Sequence, residues 1–180
     1  MLRKIPTEVV ASIFAGITAF IGGNALNLPP WAIFIGWAGT YLVGGPNIAS
    51  MTKLWRTMPI GSTYALIIVL LDGWLGNGFG TSTLAKDAML GLIILVVNTA
   101  LMFTGRIPFF ALVPGMFFGF ASFFATSFGG FGFAPGNPWA AWISVIAMNA
   151  LGPVFAWLVE WLTKAPKTAP DEKKKATVTD

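Results

Sequence analysis

The chain has 180 residues, of which 56% are hydrophobic and 10% are charged, with a net charge of +4 and a mean hydropathy of +0.75. A soluble domain carries about 25% charged residues, so these charges are too few to cover a water-facing surface. The sequence holds no cysteine and no histidine, which removes disulfides, thiol chemistry and the commonest metal ligand and general base. We therefore expect an all-α membrane protein that is not an enzyme and needs no metal or cofactor.

Six apolar segments follow one another along the chain, and each is a candidate for a membrane-spanning helix, which needs about 20 residues. Their ranges are Glu8–Leu26, Trp31–Pro46, Pro59–Gly76, Ala88–Gly105, Phe109–Phe128 and Trp139–Thr163. The last residues are rich in Lys, Pro and Thr and too polar to bury a core. The sequence predicts a six-helix transmembrane domain at residues 1–163 and a disordered basic cytoplasmic tail at residues 164–180.

The basic residues indicate the orientation of these helices. With six spans, Lys86 alone falls on the outer side, and the other ten of the eleven Lys and Arg residues fall on one side. Lys and Arg are retained on the cytoplasmic side during insertion. We expect both termini in the cytoplasm and the chain in a bacterial inner membrane. The ten residues are Arg3, Lys4, Lys53, Arg56, Arg106, Lys164, Lys167, Lys173, Lys174 and Lys175.

The second and fifth segments share an aromatic, glycine and alanine pattern when they are aligned with a shift of 83 residues. The matched pairs are Phe34 with Phe117, Gly36 with Gly119, Trp37 with Phe120 and Ala38 with Ala121. This pattern predicts two three-helix units that insert in opposite orientations, as in many channels and transporters. Gly36 and Gly119 would then face each other or a common path. The alternative is a chance match between two apolar helices.

The fifth segment also carries a family resemblance. Its run ALVPGMFFGFASFFA, Ala111 to Ala125, resembles the corresponding stretch of small bacterial inner-membrane proteins grouped as domain of unknown function 1097. The resemblance extends loosely over all six segments. It implies an inner-membrane location and six helices, and it implies no particular chemistry because the function of that family is itself unknown.

Pro114 and Gly115 interrupt the fifth segment. Proline removes a backbone donor, and a freed carbonyl in lipid costs several kcal/mol unless something satisfies it. One interpretation is a kink at Leu112–Gly115 whose carbonyls line a solute path. The other is a packing kink at which Gly115, Gly119 and Ser122 let a second helix approach closely.

Polar side chains at membrane depth are the remaining candidates, since each is costly in hydrocarbon. Asp72 lies at the outer end of the third segment, either at the mouth of a path or simply solvated. Asn98 and Asn149 lie in the middle of the fourth and sixth segments and either bond a neighbouring helix or bind a solute. Glu160 and Lys164 have the spacing of an ion pair along one helix.

The function hypothesis from the sequence is a channel or facilitator that passes a small neutral or weakly polar solute downhill. An interior rich in aromatics and poor in charge suits such a solute better than a hydrated ion. The alternatives are an accessory or structural subunit that does not transport, and an ion-coupled transporter that uses Asp72. We expect the lipid bilayer, a small-molecule solute and further copies of the chain as partners, and no nucleic acid.

Overall fold

The computed structural model describes residues 5–23 and 26–164, and these residues form six α-helices and one short 3-10 turn. The helices are α1 (Thr7–Ile21), α2 (Pro30–Leu42), α3 (Ile48–Leu75), α4 (Thr83–Thr104), α5 (Val113–Phe128) and α6 (Pro138–Thr163), with the 3-10 turn at Pro108–Phe110. The expected basic flank at residues 1–4 and almost all of the expected tail lie outside the described residues.

Three of these helices, α3, α4 and α6, are long and apolar enough to cross a membrane. They have 28, 22 and 26 residues, or about 42, 33 and 39 Å at 1.5 Å per residue. Helices α1 and α5 are apolar but shorter, with 15 and 16 residues, and α2 has 13. Three apolar helices of this length indicate a membrane protein.

Helix α3 begins earlier than the sequence indicates. Its expected start at Pro59 is wrong, because the helix begins at Ile48 after Asn47, whose side chain accepts a hydrogen bond of 3.0 Å from the Ser50 backbone N–H. Pro59 lies inside the helix, which loses one backbone hydrogen bond there. Arg56, expected in a loop, therefore lies within α3, and its guanidinium lies 4.4 Å from the centre of the Phe109 ring.

Helix α5 begins later than expected. The segment from Phe109 to Phe128 is not one helix, because α5 starts at Val113 after the separate 3-10 turn. Pro114 is therefore in the first turn of α5. The backbone N–H groups of a first turn have no partner within the helix, so proline costs little there. The expected kink within the fifth helix is wrong, and the prolines inside helices are Pro59 and Pro153.

Four helices form the centre of the bundle. Helix α2 packs mainly on α6, α3 packs mainly on α5, and α3 and α6 also contact each other. Helix α1 lies on the outside against α6, and α4 lies on the outside against α3. The core cluster draws on the four central helices and includes Ile33, Ala65, Phe123 and Val145.

Two loops meet at one end of the bundle. The Asn27 side chain, in the link between α1 and α2, donates to the carbonyls of Gly130 and Gly132 at 3.2 and 3.3 Å. The Gly132 N–H in turn donates to the Asn27 carbonyl at 2.8 Å. Asn27 has a φ of 50°, the left-handed region that asparagine tolerates better than most residues. These bonds hold the α1–α2 and α5–α6 links on the same side.

Candidate functional site

Helices α2 and α6 cross with their backbones in contact. A Cβ atom placed on Gly36 would lie 2.5 Å from the carbonyl oxygen of Asn149, and one placed on Gly152 would lie 2.5 Å from that of Ile33. Real Cβ atoms are essentially never within 3.0 Å of a neighbour. The two glycines therefore set the distance between these helices, as small residues do in membrane bundles.

Helices α3 and α5 cross in the same way. A Cβ on Gly119 would overlap the carbonyl of Met58, and a Cβ on Gly61 would overlap that of Met116. The Gly61 position also lies close to the backbone nitrogen of Phe120. Each crossing thus pairs one short helix with one long, proline-containing helix.

The residues that meet in the two crossings correspond in register. The positions on α2 and α5 differ by 83 residues, as in Ile33 and Met116 or Gly36 and Gly119. The positions on α3 and α6 differ by 91, and eight pairs of positions related by this shift are buried on both helices. These pairs are Ser50 with Ala141, Leu54 with Val145, Thr57 with Met148, Met58 with Asn149, Gly61 with Gly152, Ser62 with Pro153, Ala65 with Ala156 and Ile68 with Val159.

The close crossings decide where four of the expected path residues lie. Gly36 and Gly119 each contact the backbone of a long helix rather than each other, and a Cβ on Gly115 would overlap Thr57. Ser122 is fully buried in α5. These positions leave no space for a solute in this conformation, which favours the packing interpretation of this small-residue run.

The two crossings differ in hydrogen bonding at one pair of corresponding positions, Ser62 and Pro153. In α3, the Ser62 hydroxyl donates to the Gly119 carbonyl at 2.9 Å across the crossing. Its counterpart in α6 is Pro153, whose ring approaches Gly36. Because proline has no N–H, the Asn149 carbonyl one turn earlier loses its helical hydrogen bond. The α2–α6 crossing therefore has fewer of its polar groups in hydrogen bonds than the α3–α5 crossing has.

Asn149 stands out within this crossing. The residue is 2% exposed, and neither its Nδ2 nor its Oδ1 has a hydrogen-bond partner among the described residues. Leaving a buried polar group unsatisfied costs about 1–3 kcal/mol. Its counterpart on α3 is the apolar Met58, 1% exposed. The equivalent position of the α3–α5 crossing is therefore filled by an apolar side chain.

A pocket of about 350 Å³ lies between α3 and α6 and has Asn149 in its wall. Trp55 forms another part of the wall, and its indole N–H donates to the Ala150 carbonyl at 3.0 Å. Several lining residues are counterparts of one another under the shift of 91, such as Met58 and Asn149. The full lining is Leu54, Trp55, Met58, Pro59, Ile146, Asn149, Ala150, Leu151 and Val154.

The sequence indicates Asn149 as a candidate residue but not the α3 side of this pocket. Trp55 and Met58 precede the third helix expected from the sequence, because that helix is predicted to begin at Pro59. One signal was present: Pro59 and Pro153 are each followed within a few residues or preceded by a glycine, Gly61 and Gly152. At both glycines the backbone of another helix approaches closely.

Asp72 and Asn98 are not brought to the pocket. Asp72 is half-buried near the C-terminal end of α3, 13 residues beyond Pro59 and so about 20 Å along the helix. Asn98 lies on the outer helix α4, and its Oδ1 is buried without a partner in the described part of the chain. The expected ion pair between Glu160 and Lys164 is confirmed.

A helical chain with three membrane-length apolar helices and two close glycine crossings belongs to the class of helical membrane proteins. Residues 8–164 match the model of a family described as "Protein of unknown function (DUF1097)". The chain belongs to this family, which confirms the resemblance drawn from the fifth segment. No curated protein and no solved structure matches the chain.

Proposed function

We propose that the six helices all lie in the membrane as two inverted repeats, α1–α3 and α4–α6. The support is the pair of crossings, in which the same positions meet at constant shifts of 83 and 91 residues. A swap of partners, with α2 on α6 and α3 on α5, is the arrangement that a two-fold axis between the halves generates. Short helices at corresponding positions, here α2 and α5, are typical of inverted-repeat transporters.

The proposed orientation places both termini in the cytoplasm of a bacterial cell and the chain in its inner membrane. It is supported by the basic residues and by the two loops that Asn27 joins at one end. The chain has no native cysteine, so a single introduced cysteine provides the one thiol that a maleimide can label. A cysteine replacing Thr81 should react with an impermeant maleimide added to intact spheroplasts, and one replacing Lys164 should react only after lysis. Labelling of both in intact spheroplasts would contradict this topology.

We infer that the chain is a facilitator that passes a small neutral or weakly polar solute downhill, with its solute site in the α3–α6 pocket. Asn149 carries this inference. Its buried carboxamide has no partner in the described residues, its counterpart Met58 on α3 is apolar, and Asn149 borders a pocket of about 350 Å³. That size lies at the small end of the range for ligand pockets, about 300–1,000 Å³.

The position of the α3–α6 pocket in the fold also supports this proposal. In inverted-repeat proteins the solute binds at the interface between the repeats near the bilayer midplane. The pocket lies between α3 and α6, one long helix from each proposed half, and Asn149 is near the middle of α6. Because the glycine crossings are closed, passage requires movement between α3 and α6.

Two observations favour a second function. The same closed crossings and the predominantly apolar pocket also suit a subunit that packs against a membrane partner and carries no solute. The ion-coupled alternative has less support, because Asp72 lies about 20 Å from the pocket along α3. We also propose a homo-oligomer, since closed symmetric assemblies of identical chains are the commonest oligomers; mass measurement in lipid nanodiscs, giving one chain per particle, would exclude it.

Solute flux into proteoliposomes tests the proposed function. Purified full-length protein is reconstituted and challenged with urea, short amides, ammonia and small carboxylic acids, with protein-free liposomes as the background. We expect at least one neutral solute to enter faster with protein, without any requirement for an ion gradient or membrane potential. Equal rates with and without protein for the whole panel would favour the accessory subunit, and a strict requirement for a gradient would favour coupled transport.

A further inference from the structure

The Asn149 carboxamide offers a hydrogen-bond donor and an acceptor side by side. Both Nδ2 and Oδ1 lack a partner within residues 5–23 and 26–164. A hydroxyl or a ketone can meet a single missing bond, whereas a ligand that presents an acceptor and a donor side by side meets both at once. Primary amides, ureas and undissociated carboxylic acids have this pattern in one planar group.

The rest of the pocket restricts the ligand further. None of its nine lining residues is charged, and Asn149 and Trp55 are the only ones with polar side chains. The Trp55 indole N–H is already engaged by the Ala150 carbonyl. A charged ligand would lose its hydration without gaining a counter-charge. A carboxylic acid is almost fully ionised at neutral pH, whereas a primary amide is neutral.

We propose that the α3–α6 pocket binds a small primary amide, with its amide head on Asn149 and its apolar body against Trp55, Pro59 and Leu151. This inference rests on the proposed function for the role of the pocket as the solute site. The carboxamide is closed off in the present conformation. Met58, which lines the same pocket, is unbranched and flexible enough to move aside and admit the ligand.

Equilibrium dialysis tests the proposal with full-length protein in lipid nanodiscs and empty nanodiscs as the background. The probe is radiolabelled butyramide. The matched competitor is 2-pentanone, which has the same shape and carbonyl but a methyl group in place of the amide NH₂. We expect saturable binding of one butyramide per chain and competition by 2-pentanone at least ~10-fold weaker, because a site built for a donor rejects an analogue without it. Butyrate at neutral pH should not compete.

The variant Asn149→Met, which copies the counterpart residue Met58, should bind butyramide at least ~10-fold more weakly. The control Thr99→Val removes a polar group from α4, outside the pocket, and should bind as the unmodified protein does. Equal competition by the ketone and the amide, absence of saturable binding, or unchanged binding by Asn149→Met would each overturn the proposal. The comparison of amide with ketone uses the unmodified chain, so it decides the question even if the variant does not fold.

The outcome separates this inference from the proposed function. Saturable butyramide binding with no flux of any solute would retain the amide site and contradict the facilitator. Protein-dependent flux of other solutes, with no butyramide binding, would retain the facilitator and contradict the amide site.

Discussion

Replacing Gly119 by alanine should destabilise the protein by about 1–3 kcal/mol or more, the range for overpacking a well-packed site. The added methyl group would overlap the backbone carbonyl of Met58, and a backbone cannot move aside as a flexible side chain can. Helices α3 and α5 must then separate along their whole contact. The same reasoning applies to Gly36→Ala, where the overlapping atom is the Asn149 carbonyl oxygen.

The measurement is the midpoint of unfolding when purified protein in mild detergent is titrated with SDS. The matched controls are Gly16→Ala in α1 and Gly91→Ala in α4, because a Cβ at either position meets nothing within 4 Å. These controls should leave the midpoint unchanged or raise it, since alanine is favoured over glycine in a helix by about 0.5–1 kcal/mol. If Gly119→Ala unfolds at the same midpoint as Gly91→Ala, the described contact between α3 and α5 is wrong.

Butyramide binding and solute flux should fall when the Asn149 carboxamide is removed and recover when a carboxamide is placed at the counterpart position Met58. In Asn149→Met alone, the carboxamide is lost, and we expect butyramide binding and solute flux to fall at least ~10-fold. In the double variant Met58→Asn with Asn149→Met, the carboxamide returns to the same pocket on α3. If the halves are related by two-fold symmetry, the new amide reaches the same space from the other side, and binding should recover substantially.

Both assays apply to this exchange, with Met58→Asn alone as the matched control that carries two carboxamides. Recovery in the double variant requires that Met58 and Asn149 occupy equivalent positions about one site, which a chance match of apolar helices does not provide. A double variant that folds, as judged by SDS midpoint, and still fails to bind would contradict the equivalence of the two positions. It would leave the Asn149 site itself to be judged from the single variant.

The sequence by itself determined the helical membrane class and the family, because solvent preference and the LVPG run are local properties. It placed the ends of α6 within one residue of those in the structure, Pro138–Thr163, where the Asn137 side chain caps a first turn that begins with Pro138. It also paired Gly36 with Gly119, two positions that make corresponding backbone contacts.

The starts of α3 and α5 predicted from the sequence are wrong because Pro59 was taken to begin a helix and Pro114 to interrupt one. A proline can begin a helix, as Pro114 does, or lie within one, as Pro59 does. The choice depends on what surrounds it. Pro59 is accommodated inside α3 because the helix packs against α5 through the flanking residues Met58 and Gly61, and this stabilisation is absent from any local pattern.

Only the tertiary structure decided what each glycine contacts and where a pocket forms. Met58 and Asn149 are 91 residues apart, and nothing near either one indicates that they share a wall. Their meeting depends on where the two long helices lie, and four glycines set the distance of α6 from α2 and of α3 from α5. Hydrophobic periodicity reports which solvent a segment faces. It does not report which helix it meets, because every apolar face in a bilayer is equally free of water, and close backbone packing selects the partner.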